Sequence, residues 1–277
     1  MSLRFLPTAP LRPVILMSLI AAAYSGLAIW KEKTEYEFIG DFPSGLEAVL
    51  SLAIGMLLAF RANRAFDRWW EGRKLWGTLV NASRNFAVKT NHLVQPRDET
   101  FATMHQLIVA FPKVLRDSLR DVPPTESLAP FGQESVQGHA PSWVVNQMYG
   151  ILENWKQEQH IDQTGFWMLD REAKIFLEVC GGCERIKNTP IALSYRVFLI
   201  HALTLFVLTL PWGIVNQFGY WTIPITFFTA YFTIAAEGIA SHVEQPFTAN
   251  GDGLNLDGLC QTIKLSVDGI FENTPKP

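Results

Sequence analysis

Two cysteines, spaced as Cys180-Gly181-Gly182-Cys183, have the arrangement that zinc sites and redox dithiols use. A zinc site of this kind needs two further ligands, and a redox pair needs a thioredoxin-like context. The third cysteine, Cys260, lies far along the chain, and the sequence around the pair lacks that context. We therefore predict no metal site, no redox site and no cofactor.

Enzymatic chemistry has no other clear basis in the sequence. Walker, Rossmann and nucleophile-elbow patterns do not occur in it. His201 and Glu237 are ionisable residues in or beside apolar stretches, where such groups usually face a bundle interior or an aqueous cavity. We interpret Glu237 as a structural residue near the cytoplasmic edge of a membrane and predict no catalytic residue and no enzyme.

The composition indicates a membrane part combined with a sizeable aqueous part. Of the 277 residues, 48% are hydrophobic and only 18% are charged, which is apolar for a soluble protein but polar for a pure membrane bundle. The formal net charge of −3 provides no basic field for phosphates and argues against a nucleic-acid partner. An odd count of three cysteines argues against a disulfide framework and suits a reducing compartment.

Four apolar stretches are predicted to cross a bilayer core of about 30 Å, although the second is slightly short for it. The predicted spans are Pro13–Trp30, Gly45–Phe60, Tyr195–Val215 and Tyr220–Ala240. The first follows Arg4 and Arg12 but has no clean small-x-small cleavage site, so we interpret it as a retained span rather than a signal peptide.

The second predicted span is the first part of a much longer predicted helix. No proline interrupts the residues from Ser44 to His92, and Ser44 with Glu47 forms a capping box. A helix of this length is on the order of 70 Å long, well beyond what a bilayer core requires. At Arg61 its surface changes from apolar to charged and tryptophan-rich. We predict one continuous helix that leaves the membrane there on the cytoplasmic side.

Helical periodicity continues after this stretch, without lasting strand-like alternation, so the predicted fold class is all-α. The further predicted helices are 101–119, one through Trp155 with Ser142 as N-cap, and 163–187. The Pro-, Gly- and Ser-rich residues 121–142 are predicted to form a loop.

Positive charge determines the predicted topology and domain organisation. Residues 61–194 contain sixteen of the 23 Lys and Arg residues, which places this region in the cytoplasm. Two spans on each side then put both termini inside, with 31–44 and 216–219 outside. The predicted parts are an N-terminal segment with two spans at 1–60, a cytoplasmic helical region at 61–194, two spans at 195–240 and a cytoplasmic tail at 241–277.

Three ordered blocks of sequence resemble the signature of the bestrophin family. They are 67–77 (DRWWEGRKLWG), 183–186 with 189–191 (CERI, TPI), and 244–247 with 255–257 (EQPF, NLD). The resemblance covers nearly the whole chain. It implies a homopentameric, bacterial cell-membrane channel with four spans per subunit, in which the second helix lines a central pore for monovalent ions.

The resemblance also implies where this pore narrows. The neck falls on Leu52, Met56 and Phe60, whose spacing puts them on one helix stripe, so that five copies form three apolar rings able to gate by dewetting. Ile191, after Pro190, matches the second constriction, the cytoplasmic aperture. Without the resemblance, lipid-facing or core packing explains these residues as well.

The sequence leaves open whether the predicted pore selects anions or cations. The resemblance implies chloride or other small anions, whereas Glu47 near the predicted outer entrance is a local hint toward cations. The alternatives are a monovalent-cation channel of the same fold and a non-conducting membrane scaffold or carrier.

Two further groups of residues bear on subunit packing and on calcium binding. The aromatic cluster is predicted to pack between subunits and consists of Phe66, Trp69, Trp70 and Trp76. The stretch 248–253, where animal members of the family bind calcium, retains only Asp252 as an acidic residue, with Asp257 further on. Because calcium needs several oxygen ligands, we predict no calcium regulation.

Overall fold

The computed structural model of the chain describes residues 12–34, 45–97, 99–133, 136, 138–249 and 251–272. All regular secondary structure in these ranges is helical, which confirms the predicted all-α class. The helices are α1 (Arg12–Glu32), α2 (Leu46–Leu93), α3 (Glu99–Leu119), α4 (Thr125–Leu128), α5 (Ala140–Gln157), α6 (Gln163–Asn188), α7 (Leu193–Phe218), α8 (Thr222–Val243) and α9 (Leu256–Glu272). The predicted cap at Ser44 and most of the predicted loop 31–44 lie outside the described residues.

The prediction of one long second helix is confirmed, since α2 has 48 residues without interruption. The chain divides into two compact units, and α2 belongs to both, with the boundary between Asp67 and Arg68. The first unit also contains Pro190–Glu244, and the second contains Arg68–Thr189 and the chain from Gln245 onward.

The first unit is built from apolar helices. Within the described ranges, three helical segments are long and apolar enough to cross a membrane, the second of which continues into the other unit: Arg12–Glu32, Leu46–Leu93 and Leu193–Val243. The last of these contains both α7 and α8, which a short 3-10 turn at Gly219–Trp221 separates.

Small residues let the helices of this unit approach one another. The buried face of α1 consists largely of alanines and serines, and α1 packs against α7 and α8. The hydroxyls of Ser18 and Ser25 donate to the carbonyls of Val14 and Ala22 in their own helix, so their burial leaves no hydroxyl unpaired. On α2, Ile54 packs into a cluster with Leu199, Leu203, Phe206 and Leu210 of α7.

The second unit has a core of large apolar side chains. α3 packs against α5, α6 and α9, and α5 packs against α6. Phe111 of α3 meets Phe176 of α6 edge to face, with ring centroids 4.8 Å apart, and Phe176 also contacts Phe86 of α2.

Two local predictions in this unit were wrong. The N-cap of α5 is His139 rather than Ser142, because the His139 ring accepts the Ser142 N–H and Pro141 suits the first helical turn. The predicted loop 121–142 contains α4 and a 3-10 turn at Ala129–Phe131. Burial explains the short helix, since Leu128 is fully enclosed and the Ser127 hydroxyl donates to Asp117.

Candidate functional site

The exposed stripe of α2 is the first feature of the candidate site. Leu52, Met56 and Phe60 are 76%, 58% and 52% exposed, although all three are large and apolar. Glu47, Ile54 and Arg61, spaced by seven residues, form the buried side of the same helix. At 3.6 residues per turn the two sets lie on opposite sides of α2. The stripe therefore points away from the helices that α2 contacts within its own unit.

Arg61 lies directly after this stripe and is completely buried. Its Nη2 donates to Oε2 of Glu244 over 2.6 Å, and its Nε lies 3.4 Å from Oε2 of Glu237. A guanidinium removed from water needs such compensation, because an unpaired buried charge is strongly unfavourable. The predicted structural role of Glu237 has a physical basis here, since its carboxylate neighbours the buried cation.

Glu244 has a second partner at Ile191, the residue that the family resemblance implies as the other constriction. Its Oε1 accepts the backbone N–H of Ile191 over 2.9 Å, while its Oε2 accepts from Arg61. One carboxylate therefore fixes both the end of the exposed α2 stripe and the backbone of Ile191. Sequence reasoning missed this link, and the available signals were an arginine ending an apolar run and a glutamate opening the third block.

Glu47 occupies a different environment from the one expected of a pore entrance. Its side chain is buried against α7 and leaves no room for a Cβ at Gly213. Neither carboxylate oxygen has a hydrogen-bond partner among the described residues. A role at the outer entrance stays a prediction, and the observed position does not favour it.

The aromatic cluster separates into exposed and enclosed members. Phe66 and Trp70 are largely exposed, and Trp69 stacks on Trp70 and donates from Nε1 to the Asp252 carbonyl over 3.1 Å. Trp76, by contrast, is fully buried in the core of its own unit. For Trp76 the expectation of packing between subunits is corrected, because no part of its side chain is left for a neighbouring chain.

Of the acidic residues after α8, Asp257 pairs with two arginines in the second unit. Oδ1 of Asp257 accepts from Arg116 over 2.7 Å, and Oδ2 accepts from Arg120 over 2.9 Å. Partial burial alone would raise the pKa of Asp257, but the hydrogen bonds and charges of Arg120 and Arg116 hold it below its usual value. Asp257 thus joins the start of α9 to α3.

The cysteine pair has neighbours that its spacing did not reveal. His139 and Glu184 bring ligand atoms next to Sγ of Cys180. Burial, followed by the nearby charges of Glu184 and Glu71, raises the pKa of Cys183 to about 12, and burial raises the pKa of the Cys180 thiol as well. In the absence of a bound ion, both thiols are therefore protonated at neutral pH.

Comparison with known proteins connects this geometry to a family. The family model described as bacterial/fungal bestrophin protein matches residues 3–269. A voltage-dependent anion channel-forming protein of Mesorhizobium japonicum is 31% identical over 262 residues, covering 92% of this chain and 83% of the relative. The protein of the same description from Escherichia coli K12 is 30% identical over 79% of this chain and 74% of its own length.

Solved structures show the same fold. A crystal structure of a bacterial bestrophin homologue from Klebsiella pneumoniae superposes with a TM-score of 0.87 at 23% identity, covering 94% of this chain and 100% of the other. A single-residue variant of that homologue gives a TM-score of 0.85 at 22% identity, over 92% and 98% of the two chains. Together with its apolar helices, these matches make the chain a membrane protein. It belongs to the bacterial and fungal bestrophin family.

Proposed function

We propose that the chain is the subunit of a homopentameric channel that passes small monovalent anions passively through a central pore in the cell membrane. The observation that carries the proposal is the exposed apolar stripe of Leu52, Met56 and Phe60, opposite the buried side of α2. Contiguous exposed apolar side chains usually mark an interaction surface or a binding groove. Around a fivefold axis the stripe forms three stacked rings, the neck.

The stripe can control passage without a moving lid. A narrow apolar ring disfavours water and therefore ions, so small changes in ring diameter open or close it by wetting. Ile191 forms the second narrow ring in this proposal, and its backbone is held by Glu244. No catalytic group takes part, since the ions cross unchanged.

The sign of the permeant ion follows from the relatives rather than from the rings. Apolar rings carry no fixed charge, and several relatives bear names that describe anion channels. Glu47, the residue that favoured cations in the sequence, is buried against Gly213. Anions are therefore the better supported choice.

The proposed topology has four spans and both termini in the cytoplasm. The segment Leu193–Val243 is long enough for two crossings, and the turn at Gly219–Trp221 provides the reversal between them. The concentration of Lys and Arg in 61–194 supports a cytoplasmic location for that region.

Flux from proteoliposomes tests the function directly. Purified full-length protein should release chloride down its gradient, and replacing Leu52, Met56 and Phe60 together by Ala should raise that flux by widening the neck. The matched control replaces Phe198, Leu205 and Leu208 by Ala, because these are also large, exposed and apolar but lie on α7. The control should conduct as the parent does.

Two results would contradict the proposal. Absence of ion flux from a folded, inserted protein would favour a scaffold, and a neck variant that conducts like the parent would remove the stripe from the pathway. Reversal potentials in asymmetric salt report the sign of the ion, and a value following the cation gradient would overturn the choice of anions. Native mass spectrometry of the detergent-solubilised protein should give five chains.

A further inference from the structure

Three side chains with different ligand atoms converge in the second unit. Nε2 of His139 lies 2.6 Å from Oε1 of Glu184 and 3.8 Å from Sγ of Cys180. All three ligand atoms lie within 4.8 Å of one another, and in the described part of the chain no other three His, Cys, Asp or Glu residues do so.

Helix geometry explains why these residues meet. Cys180 and Glu184 are four residues apart on α6 and therefore lie on the same face, one turn apart. His139 caps the N-terminus of α5, and α5 packs against α6. Cys183 is three residues from Cys180 on the same helix but does not belong to the group.

We propose that His139, Cys180 and Glu184 bind a divalent ion of borderline softness, with Zn²⁺ as the best fit. Imidazole nitrogen, thiolate and carboxylate are the ligands that zinc takes in proteins. With usual zinc bond lengths, a tetrahedral sulfur–nitrogen edge is about 3.6 Å, close to the observed 3.8 Å. Three protein ligands leave the fourth position for water.

Zinc replaces the hydrogen bond between Nε2 of His139 and Oε1 of Glu184. Their 2.6 Å separation is a hydrogen-bond distance, and it must widen by about 0.7 Å to become a tetrahedral edge. The side chains can make this change because they are 41% and 32% exposed, whereas Cys180 is buried. The ion therefore reaches the buried thiol from the solvent side.

Ser142 provides the outer contact that orients the histidine. Nδ1 of His139 lies 2.6 Å from the Ser142 hydroxyl and 3.3 Å from the Ser142 backbone nitrogen. This leaves Nε2 directed at Cys180 and Glu184, which is the ring orientation that a metal ligand requires. In the free protein Nδ1 accepts the Ser142 N–H, so a neutral imidazole has its proton on Nε2. Zinc binding at Nε2 shifts that proton to Nδ1, which then donates to the Ser142 hydroxyl in place of accepting the backbone N–H.

Charge and protons balance in the bound form. Zn²⁺ with one thiolate, one carboxylate and a neutral imidazole has no net charge. The proton lost from Nε2 of the neutral imidazole is balanced by the proton gained at Nδ1, and the thiol proton is released to solvent, so binding one ion releases one proton net.

Metal binding to the purified full-length protein tests the site. Equilibrium dialysis against Zn²⁺ should give one bound ion per chain, and Co²⁺ should produce a thiolate-to-cobalt charge-transfer band in the near ultraviolet. Cys180→Ser should abolish the band. His139→Asn should weaken binding at least tenfold, while Asn preserves the helix cap that a simple truncation would remove.

Matched controls separate the site from general metal affinity. Cys260→Ser changes another buried cysteine and should leave both readouts unchanged. Ser142→Ala keeps all three ligands and should weaken binding by about tenfold, as expected for an outer contact. Glu184→Gln, which preserves shape, should weaken Zn²⁺ binding without removing the cobalt–thiolate band.

Several results would overturn the proposal. One is the failure of Co²⁺ to produce the charge-transfer band in the parent protein. Another is Zn²⁺ binding that persists in both Cys180→Ser and His139→Asn. Loss of binding in Cys260→Ser would place the ion elsewhere. Because ion flux is not a readout here, failure of this site and failure of the proposed channel function remain distinguishable.

Discussion

Arg61 and Glu244, which are 183 positions apart in the sequence, form a buried ion pair with a 2.6 Å contact between Nη2 and Oε2. Arg61 follows the last residue of the exposed α2 stripe, and Glu244 also holds the backbone N–H of Ile191. The two constrictions proposed for the pore therefore share one carboxylate.

Removal of the Glu244 charge should destabilise the fold markedly. In Glu244→Gln, Glu237 at 3.4 Å is the one carboxylate that the enclosed Arg61 guanidinium retains among the described residues. Breaking one partner of a buried pair costs about 3–5 kcal/mol. The measurement is the unfolding midpoint in detergent. The control is Asp67→Asn, which breaks the exposed 3.9 Å contact with Arg64 and should cost about 0–1 kcal/mol. Equal effects of the two substitutions would contradict the role of burial.

Shortening of Ile191 should widen the proposed aperture. We expect Ile191→Ala to raise the permeability of large anions such as gluconate relative to chloride, because a ring of smaller side chains admits larger ions. Reversal potentials under biionic conditions measure this ratio. Leu193→Ala, two residues further on at a highly exposed position, is the control and should leave the ratio unchanged. An unaltered ratio in Ile191→Ala would remove this residue from the narrow part of the pathway.

The two tryptophans of the aromatic cluster should differ in what their removal affects. Trp76 is enclosed in its own unit, so Trp76→Ala should destabilise the chain by about 3–5 kcal/mol. Trp70 is exposed, so Trp70→Ala should leave chain stability nearly intact and shift the assembly toward smaller species if it packs between subunits. Light scattering after size exclusion and thermal unfolding measure the two effects. An assembly unaffected by Trp70→Ala would argue against packing of this residue between subunits.

The contacts of Asp257 should add acid-sensitive stability. Because Arg120 and Arg116 lower its folded pKa below the ordinary 3.8, the contribution is present above about pH 3.8 and disappears as the pH falls through the folded pKa. Asp257→Asn should therefore unfold at a lower temperature than the parent at pH 7, and the difference should vanish in strong acid. Since Asp257 is largely exposed, we expect a small effect. A difference that persists or grows in strong acid would contradict it.

Glu47→Gln distinguishes a packing residue from a pore-entrance residue. The carboxyl is buried against Gly213, so we expect the reversal potential in asymmetric salt to be unchanged. A shift of the reversal potential toward the anion value would instead establish that Glu47 faces permeating ions. Thermal unfolding of the same variant shows whether a neutral side chain is tolerated at this position.

Local signals in the sequence were sufficient for the helices. The absence of proline between Pro43 and Pro96 and the continuous apolar-to-polar pattern predicted α2, which the structure confirms over 48 residues. The family followed from three short blocks, which the family match over 3–269 bears out. The predicted start of α5 was less accurate, because a histidine cap shortly before a proline is a weak sequence signal.

Pairings between distant residues were decided by tertiary structure alone. The sequence shows a tryptophan at 76 and a glutamate at 47, but only helix packing determines that both are enclosed. It also shows a cysteine pair with Glu184 one helical turn beyond Cys180, but only the packing of α5 against α6 brings His139 to them. Periodicity and charge are properties of neighbouring residues, so the sequence by itself determined the helices, their apolar sides and the family. Which side chains meet depends on how whole helices fit together, and for that reason the Arg61–Glu244 pair and the proposed metal ligands emerged only from the fold.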